Sequence, residues 1–307
     1  MGNHIGEALA SLGHWYVRHA PGALGKAPLA ARYLNPYLRD HPRLRVTQSR
    51  SGPRFAVDTQ DLIQRYIYMF GTWEPHMTRW LSRRLRPGDT FIDVGANIGY
   101  FSLIASRLVG EAGGVVAVEA SPLFHKRVVA QARFNGCENV RAVNAAVSDV
   151  REALTFTLAS SRNMGANSIV PYDGPAESTF EMQARPLPEL LTDAEIAGAR
   201  VIKIDVEGAE GGVVRGMASM LDRLRPDAEI TVEVTPERMA LLGESVDELL
   251  AIMREHGFHT YRLVNDYAAE SYPAALRRAP AVPLRWRGPV VDESDLVFSR
   301  VDAETLP

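Results

Sequence analysis

The sequence predicts an α/β fold in which a mostly parallel sheet carries helices on both faces, preceded by an N-terminal helical and hairpin cap. Three observations support it. From Thr90 onward, short runs rich in Val and Ile alternate with helical stretches, the pattern of parallel strands joined by crossover helices. The first run, Phe91-Ile92-Asp93-Val94, opens into Gly95-Ala96-Asn97-Ile98-Gly99, a tight turn from strand to helix. Several runs also close on a carboxylate, at Asp93, Glu119 and Asp205, with Glu233 beside them. Ligands of open α/β sheets gather outside the carboxyl ends of the strands.

The elements follow in order. Residues 1–40 are rich in Ala, Gly and Pro with Trp15, Tyr16, Tyr33 and Tyr37, and predict short helices broken at Pro21, Pro28 and Pro36. Arg45 to Ser49 and Arg54 to Val57 flank Ser51-Gly52-Pro53 as a hairpin, after which Thr59 or Asp61 caps a helix running to Phe70. Residues 1–86 are thus expected to form a cap without a core of its own, and residues 87–307 the main domain. Its strands are expected at Thr90 to Val94, Val115 to Glu119, Val140 to Val143, Val201 to Asp205, Ile230 to Val234, Thr260 to Val264 and Leu296 to Arg300. Leu154 to Leu158 and Phe180 to Ala184 predict an inserted hairpin near residues 153–185, around a loop from Ser160 to Pro175. Ser245 with Glu248 reads as a capping box, for a helix that Gly257 stops.

Composition narrows the function classes. With 46% hydrophobic and 23% charged residues over 307, the chain has the makeup of a packed globular protein. No run reaches the roughly 20 apolar residues of a membrane span, and residues 1–12 lack the pattern of a signal peptide, so a cytoplasmic protein with no membrane partner is expected. A single cysteine, Cys137, leaves no intrachain disulfide and no cysteine-based zinc cluster. The net charge of −3 offers no general attraction for a phosphate backbone, so nucleic acid is not an expected partner. The aromatic N-terminal region leaves monomer and homodimer both open.

Three segments carry chemistry. Gly95 and Gly99 let the backbone approach a ligand closely, and the lack of a third spaced glycine favours a nucleoside with a charged tail over a dinucleotide. Glu119 closes the next strand at a spacing suited to holding both ribose hydroxyls, while Ser121 and Pro122 start a helix. Ala120 and Ser121 join the expected cofactor contacts. Val201-Ile202-Lys203-Ile204-Asp205-Val206-Glu207-Gly208-Ala209-Glu210 sets three carboxylates just after a buried strand; crowding of like charges there suits a general base, a bound cation or a metal.

Together, DLIQRYIYMFGTWEP, RPGDTFIDVGANIGYFSLIAS, VVAVEASP, NVRAVNAAVSD and VIKIDVEGAE resemble the FkbM-type methyltransferase family from about Asp58 to Gly257. The resemblance implies a class I, Rossmann-like methyltransferase fold with a seven-stranded sheet, S-adenosyl-L-methionine as cofactor, and O-methylation of sugars, macrolides or related natural products. It implies that Asp93, Gly95, Asn97 and Gly99 form the donor loop, that Glu119 binds the ribose, and that Ala146 and Val147 sit by the adenine. Asp205 and Glu207 correspond to the segment at the donor's reactive end, and Tyr66 with Glu74 to one covering the methionine tail. Leu187-Pro188, where Leu-Asp is frequent, and Glu119-Ala120-Ser121-Pro122, where Glu-Pro is more common, depart from the family pattern.

The expected partner is therefore a small hydroxylated substrate, with Asp205 or Glu207 accepting the hydroxyl proton. No metal is expected; a metal-assisted variant would use Asp205, Glu207 and Glu233. A nicotinamide-dependent oxidoreductase and a non-catalytic cofactor-binding protein remain the alternatives.

Overall fold

The computed structural model describes residues 2–158, 167–170 and 178–306, and the chain divides into two compact units. One contains the residues up to Arg79 together with Asn265–Pro280; the other contains most of the remainder.

The first unit opens with an unbroken helix, Gly2–His19, followed by a continuous helical path through Lys26–Pro28, Leu29–Leu34 and Asn35–Asp40. Only Pro21 lies at a break. Pro28 falls in the first turn of the path, which begins at Lys26 after the left-handed Gly25, where its missing N–H costs nothing, and Pro36 directly follows the wider π-helical stretch Leu29–Leu34. Strands β1 (Leu44–Gln48) and β2 (Arg54–Asp58) pair antiparallel with Leu44 opposite Asp58. Asp61 then caps the helix Leu62–Phe70 by accepting the Gln64 N–H, and Gly71 ends it in the left-handed region. The unit does hold a cluster of buried rings: Tyr66 meets Phe70 at 5.4 Å and Tyr272 at 4.9 Å, and Trp73 stacks on Tyr267 at 5.5 Å. The expectation of a coreless cap fails because two of these five rings, Tyr267 and Tyr272, come from a segment some 200 residues later in the chain, which no local pattern reveals.

The second unit is built on an eight-stranded sheet. Its strands are β3 (Thr90–Val94), β4 (Gly114–Val118), β5 (Val140–Val143), β10 (Ala199–Ile204), β11 (Glu229–Val234), β12 (His259–Leu263), β13 (Leu284–Arg285) and β14 (Ser294–Ser299), in the order β13-β12-β14-β11-β10-β3-β4-β5. From β5 to β11 the neighbours run parallel, and β14 inserts antiparallel between β11 and β12. This is the expected mostly parallel sheet, with one strand more than the seven expected. The extra two-residue β13 follows a proline-rich stretch with no strand signal.

Ile92, Val94, Ile202, Ile204, Ile230, Val232, Leu296 and Phe298 are buried in a continuous core with Val213, Val214, Met217 and Met220 of the helix Glu210–Leu221. Each such side chain contributes roughly 1.5–3 kcal/mol by leaving water, which explains the near-continuous apolar runs of these strands. A second sheet of order β6-β9-β7-β8 uses β6 (Ala146–Val147), β7 (Glu152–Leu158), β8 (Asn167–Ser168) and β9 (Ser178–Arg185). β7 and β9 form the inserted antiparallel hairpin, with Leu158 opposite Ser178. Of the loop from Ser160 to Pro175, only residues 167–170 are among those described. Ser245 caps the helix Val246–Glu255 through the Asp247 N–H instead of reciprocally with Glu248; the complete capping box lies at Thr192 and Glu195.

Candidate functional site

The site is assembled at the carboxyl ends of β3, β4 and β10. Gly95 and Ala96 both donate their N–H to Val118 O, at 2.9 and 3.0 Å, and Asp205 N–H donates to Val94 O at 3.0 Å. These bonds draw the turn after β3 against the segment after β10. A side chain cannot fit between them: a Cβ at Gly95 would lie 1.8 Å from Asp205 O, and its φ is +86°. Gly99, at φ +83°, precedes the helix Tyr100–Val109, and Asn97 adopts φ +53°, a conformation Asn tolerates better than most residues.

Glu119 ties the turn to the next strand. Its Oε2 accepts the Asn97 N–H at 2.7 Å and its Oε1 the Ser121 N–H at 2.8 Å. Burial pushes its carboxyl up to about 7 against the pull of these two N–H groups. Ser121, through its Oγ, caps the helix Pro122–Asn135. Asn144 holds the same segment by donating to Glu119 O at 2.8 Å and Ala120 O at 3.0 Å. Ala120 packs on the cluster of Ala146, Phe156 and Ala184, and Val147 joins the main core. Ala146 and Val147 thus sit in β6 with their side chains buried.

Asp93 is buried beneath this surface, accepting the Ser102 hydroxyl. Burial raises its pKa, opposed by Lys203. Lys203 lies opposite Asp93 across the β10–β3 pair and bonds Asp205 Oδ2 at 2.7 Å. Burial would raise the Asp205 carboxyl as well, yet Lys203 and a hydrogen bond from Glu233 outweigh it and hold the group below the usual range. Asp205 is therefore held in its ionised form.

Glu207 adopts φ +60°. Its carbonyl accepts the Ser168 hydroxyl at 2.7 Å, and its carboxylate is paired with Arg238. Burial and the Asp205 charge push Glu207 up to about 7, with Arg238 pulling it down. Glu210 is buried; its Oε1 accepts the N–H groups of Gly208 and Val206, at 3.0 and 3.2 Å, and its Oε2 is buried with no partner among the described residues. Burial raises it to about 7 also.

The structure therefore brings Gly95, Asn97, Glu119, Ala120, Ser121, Asp205 and Glu207 around three adjoining strand ends, and seats Asp93 just inside. Asp205, Glu207 and Glu233 are not gathered as a metal-ligand set: among the described residues no three His, Cys, Asp or Glu side chains are disposed to hold an ion. Tyr66 and Glu74 belong to the other unit, where the Tyr66 hydroxyl donates to Tyr267 O at 3.1 Å and the Glu74 N–H donates to the Tyr272 hydroxyl at 3.3 Å. Sequence reasoning gave no role to Lys203 or Arg238. The first was accessible, since residues two apart on a strand share a face; the second comes from a separate helix and left no local signal.

Over residues 93–260, more than half of the chain, the sequence matches the family model described as Methyltransferase FkbM domain. A curated relative, the 23S rRNA (uracil(1939)-C(5))-methyltransferase RlmD of Psychrobacter arcticus, is 44% identical over 55 residues, which are 18% of this chain and 11% of that protein's length. Among solved structures, the methyltransferase FkbM of Methylobacillus flagellatus is similar at 14% identity over 77% of this chain and 52% of its own, with a TM-score of 0.41. A SAM-dependent methyltransferase of Geobacter sulfurreducens, in complex with S-adenosyl-L-homocysteine, is similar at 17% identity over 67% of this chain and 72% of its own, with a TM-score of 0.37.

Proposed function

This chain belongs to the methyltransferase FkbM domain family, and from that premise we propose that it moves a methyl group from S-adenosyl-L-methionine onto a hydroxyl oxygen of a small acceptor, such as a sugar or natural-product intermediate. The observation that supports the reading best is the Glu119 carboxylate, fixed by the Asn97 and Ser121 N–H groups beside the Gly95 turn. Each of its oxygens keeps a further acceptor site for a ribose hydroxyl. The donor's two positive centres suit a rim that carries Asp205 and Glu207, and the unpartnered Glu210 Oε2 is a further acceptor in that segment. The residues present thus fit the cofactor, which when bound supplies the activated methyl.

The chain's own part is alignment and proton removal. Holding an acceptor oxygen in line is worth about 7–11 kcal/mol in favourable cases, and a placed base contributes about 10²- to 10⁴-fold. Of the two candidate bases, Glu207 fits the task better. Asp205 is neutralised by Lys203 and held at low pKa, so it takes up a proton poorly, whereas Glu207 titrates near 7, where a base works best.

The test is calorimetry with S-adenosyl-L-homocysteine and NAD, followed by methyl-transfer assays on a panel of sugars and polyhydroxylated metabolites with Glu207→Gln alongside. The expected result is binding of the adenosyl compound alone, transfer to a hydroxyl, and a loss of turnover in the variant with donor affinity kept. NAD binding in its place would overturn the donor assignment. Wild-type turnover in the variant would remove Glu207 as base.

A further inference from the structure

The helix Gly2–His19 has two apolar faces, and the first unit covers only one. Ala10, Gly13 and Val17 are buried, with Gly13 pressed so close to Leu34 and Leu29 that an added Cβ would lie 3.3 Å from Leu34 Cδ2. Away from that seam, Ile5 (64%), Leu9 (53%), Leu12 (64%) and Trp15 (56%) are exposed. At 100° per residue these four fall within an arc of about 120°. Ala8, Tyr16 and His19 share the arc, so it contains no Asp, Glu, Lys or Arg. Burial and the nearby Arg18 lower the pKa of His19, which favours its neutral form. The stripe continues past the helix end: Tyr16 donates its hydroxyl to Leu24 O at 2.7 Å, and Leu24 is 87% exposed.

Charge is distributed as unevenly as apolar surface. Residues 1–79 contain ten Lys and Arg against five Asp and Glu, a net of +5, while the whole chain is −3 and residues 80–307 are therefore −8. Arg32, Arg45, Arg50 and Arg54 are exposed within the basic segment. We propose that this helix docks the protein on an anionic lipid surface, lying in the plane of the interface with Ile5, Leu9, Leu12 and Trp15 in the acyl boundary and the basic segment over the headgroups. This replaces the expectation of no membrane partner, which rested on the lack of a spanning segment. Among the described residues no helix is long and apolar enough to cross a membrane, and an interfacial helix needs no such length.

Two features favour lipid over other occupants of the stripe. A second copy of the chain would bring two segments of +5 together, whereas an anionic leaflet offers the opposite charge. A nucleic acid would meet the charge but offers no apolar phase for Leu9, Leu12 and Trp15. Stable attachment of a peripheral protein takes two signals, and here an apolar stripe and a net positive charge belong to the same segment, residues 1–79.

The test is co-sedimentation of the full chain with vesicles of phosphatidylcholine containing roughly one quarter phosphatidylserine, against pure phosphatidylcholine, at low and high salt. We expect partition into the anionic vesicles, about tenfold weaker binding to the neutral ones, and a similar loss in high salt. Leu12→Glu is expected to lower partition by about tenfold or more; Trp15→Ser is the second variant, and far-UV circular dichroism with S-adenosyl-L-homocysteine binding checks that each is folded. No partition, or partition that both variants leave intact, overturns the proposal. So does a dimer in sedimentation velocity that Leu12→Glu dissociates without any vesicle binding, or retention of mixed tRNA in place of vesicles.

Discussion

Glu119 and Asn97 lie on different strand-to-helix loops, and a 2.7 Å bond from the Asn97 N–H to Glu119 Oε2 joins them. With the Ser121 N–H on the other oxygen, the carboxylate is oriented before any ligand arrives. Glu119→Gln keeps the shape but turns an amide N–H₂ toward one of the two backbone donors. A hydrogen bond to a charged group is worth about 1.5–3 kcal/mol, so the affinity for S-adenosyl-L-homocysteine is expected to fall by roughly 10- to 100-fold in calorimetry. An affinity within about twofold of wild type would remove Glu119 from the donor site.

Gly95 provides a steric test of the same surface. An alanine Cβ there would meet backbone, 1.8 Å from Asp205 O, and neither chain can move without breaking the bonds to Val118 O and Val94 O. At Gly136 the φ is also positive, at +65°, but nothing lies within 4 Å. Gly136→Ala should therefore cost only the left-handed backbone penalty, about 1–2 kcal/mol. Gly95→Ala should cost clearly more in urea denaturation and abolish donor binding. Equal losses for the two would show that close approach to Asp205 is not the constraint.

Much of this was legible in the chain itself. The alternation of apolar runs with helical stretches located every principal strand to within two residues, because strands buried on both faces have few other ways to read. The Gly95 turn and Glu119 were legible because backbone conformation and strand-end position restrict them locally. The ring cluster of Tyr66, Trp73 and Tyr272 was not, since it joins segments far apart in the chain. Arg238 escaped for the same reason: its partner Glu207 lies 31 residues earlier. The two apolar sides of the helix Gly2–His19 were hidden by a simpler ambiguity, because sequence shows which residues are apolar and not which of them are covered.

Stability should fall as pH rises through the range below neutrality. Glu119 and Glu210 are pushed by burial from 4.5 to about 7 in the folded protein, so between those values the unfolded chain has released protons that the native state still holds. Fewer bound protons in the unfolded state make the slope of unfolding free energy against pH negative in that window. Chemical denaturation at pH 5.5 and 7.5 should give the higher midpoint at the acid end, once other titrations are cancelled by comparison with Glu210→Gln. In that variant the decline should be smaller; an identical decline would show that Glu210 is ionised throughout.

Arg238 sets where the proposed base titrates. Its guanidinium pairs with the Glu207 carboxylate and opposes burial and the Asp205 charge, the two effects that carry the group to about 7. Removing the cation in Arg238→Met leaves those two effects uncompensated, so the Glu207 pKa rises further. A base acts only when deprotonated, so the rising limb of the kcat profile should move to higher pH, with turnover depressed at neutrality and recovering under alkaline conditions. Arg238→Lys, which keeps a positive charge without the planar fork, should fall between the two. Loss of packing alone would lower kcat by one factor at every pH, because the Arg238 Cβ also lies 3.0 Å from where a Gly208 side chain would begin. A uniform drop would therefore assign Arg238 to the architecture of the turn, and a displaced limb assigns it to the charge on Glu207.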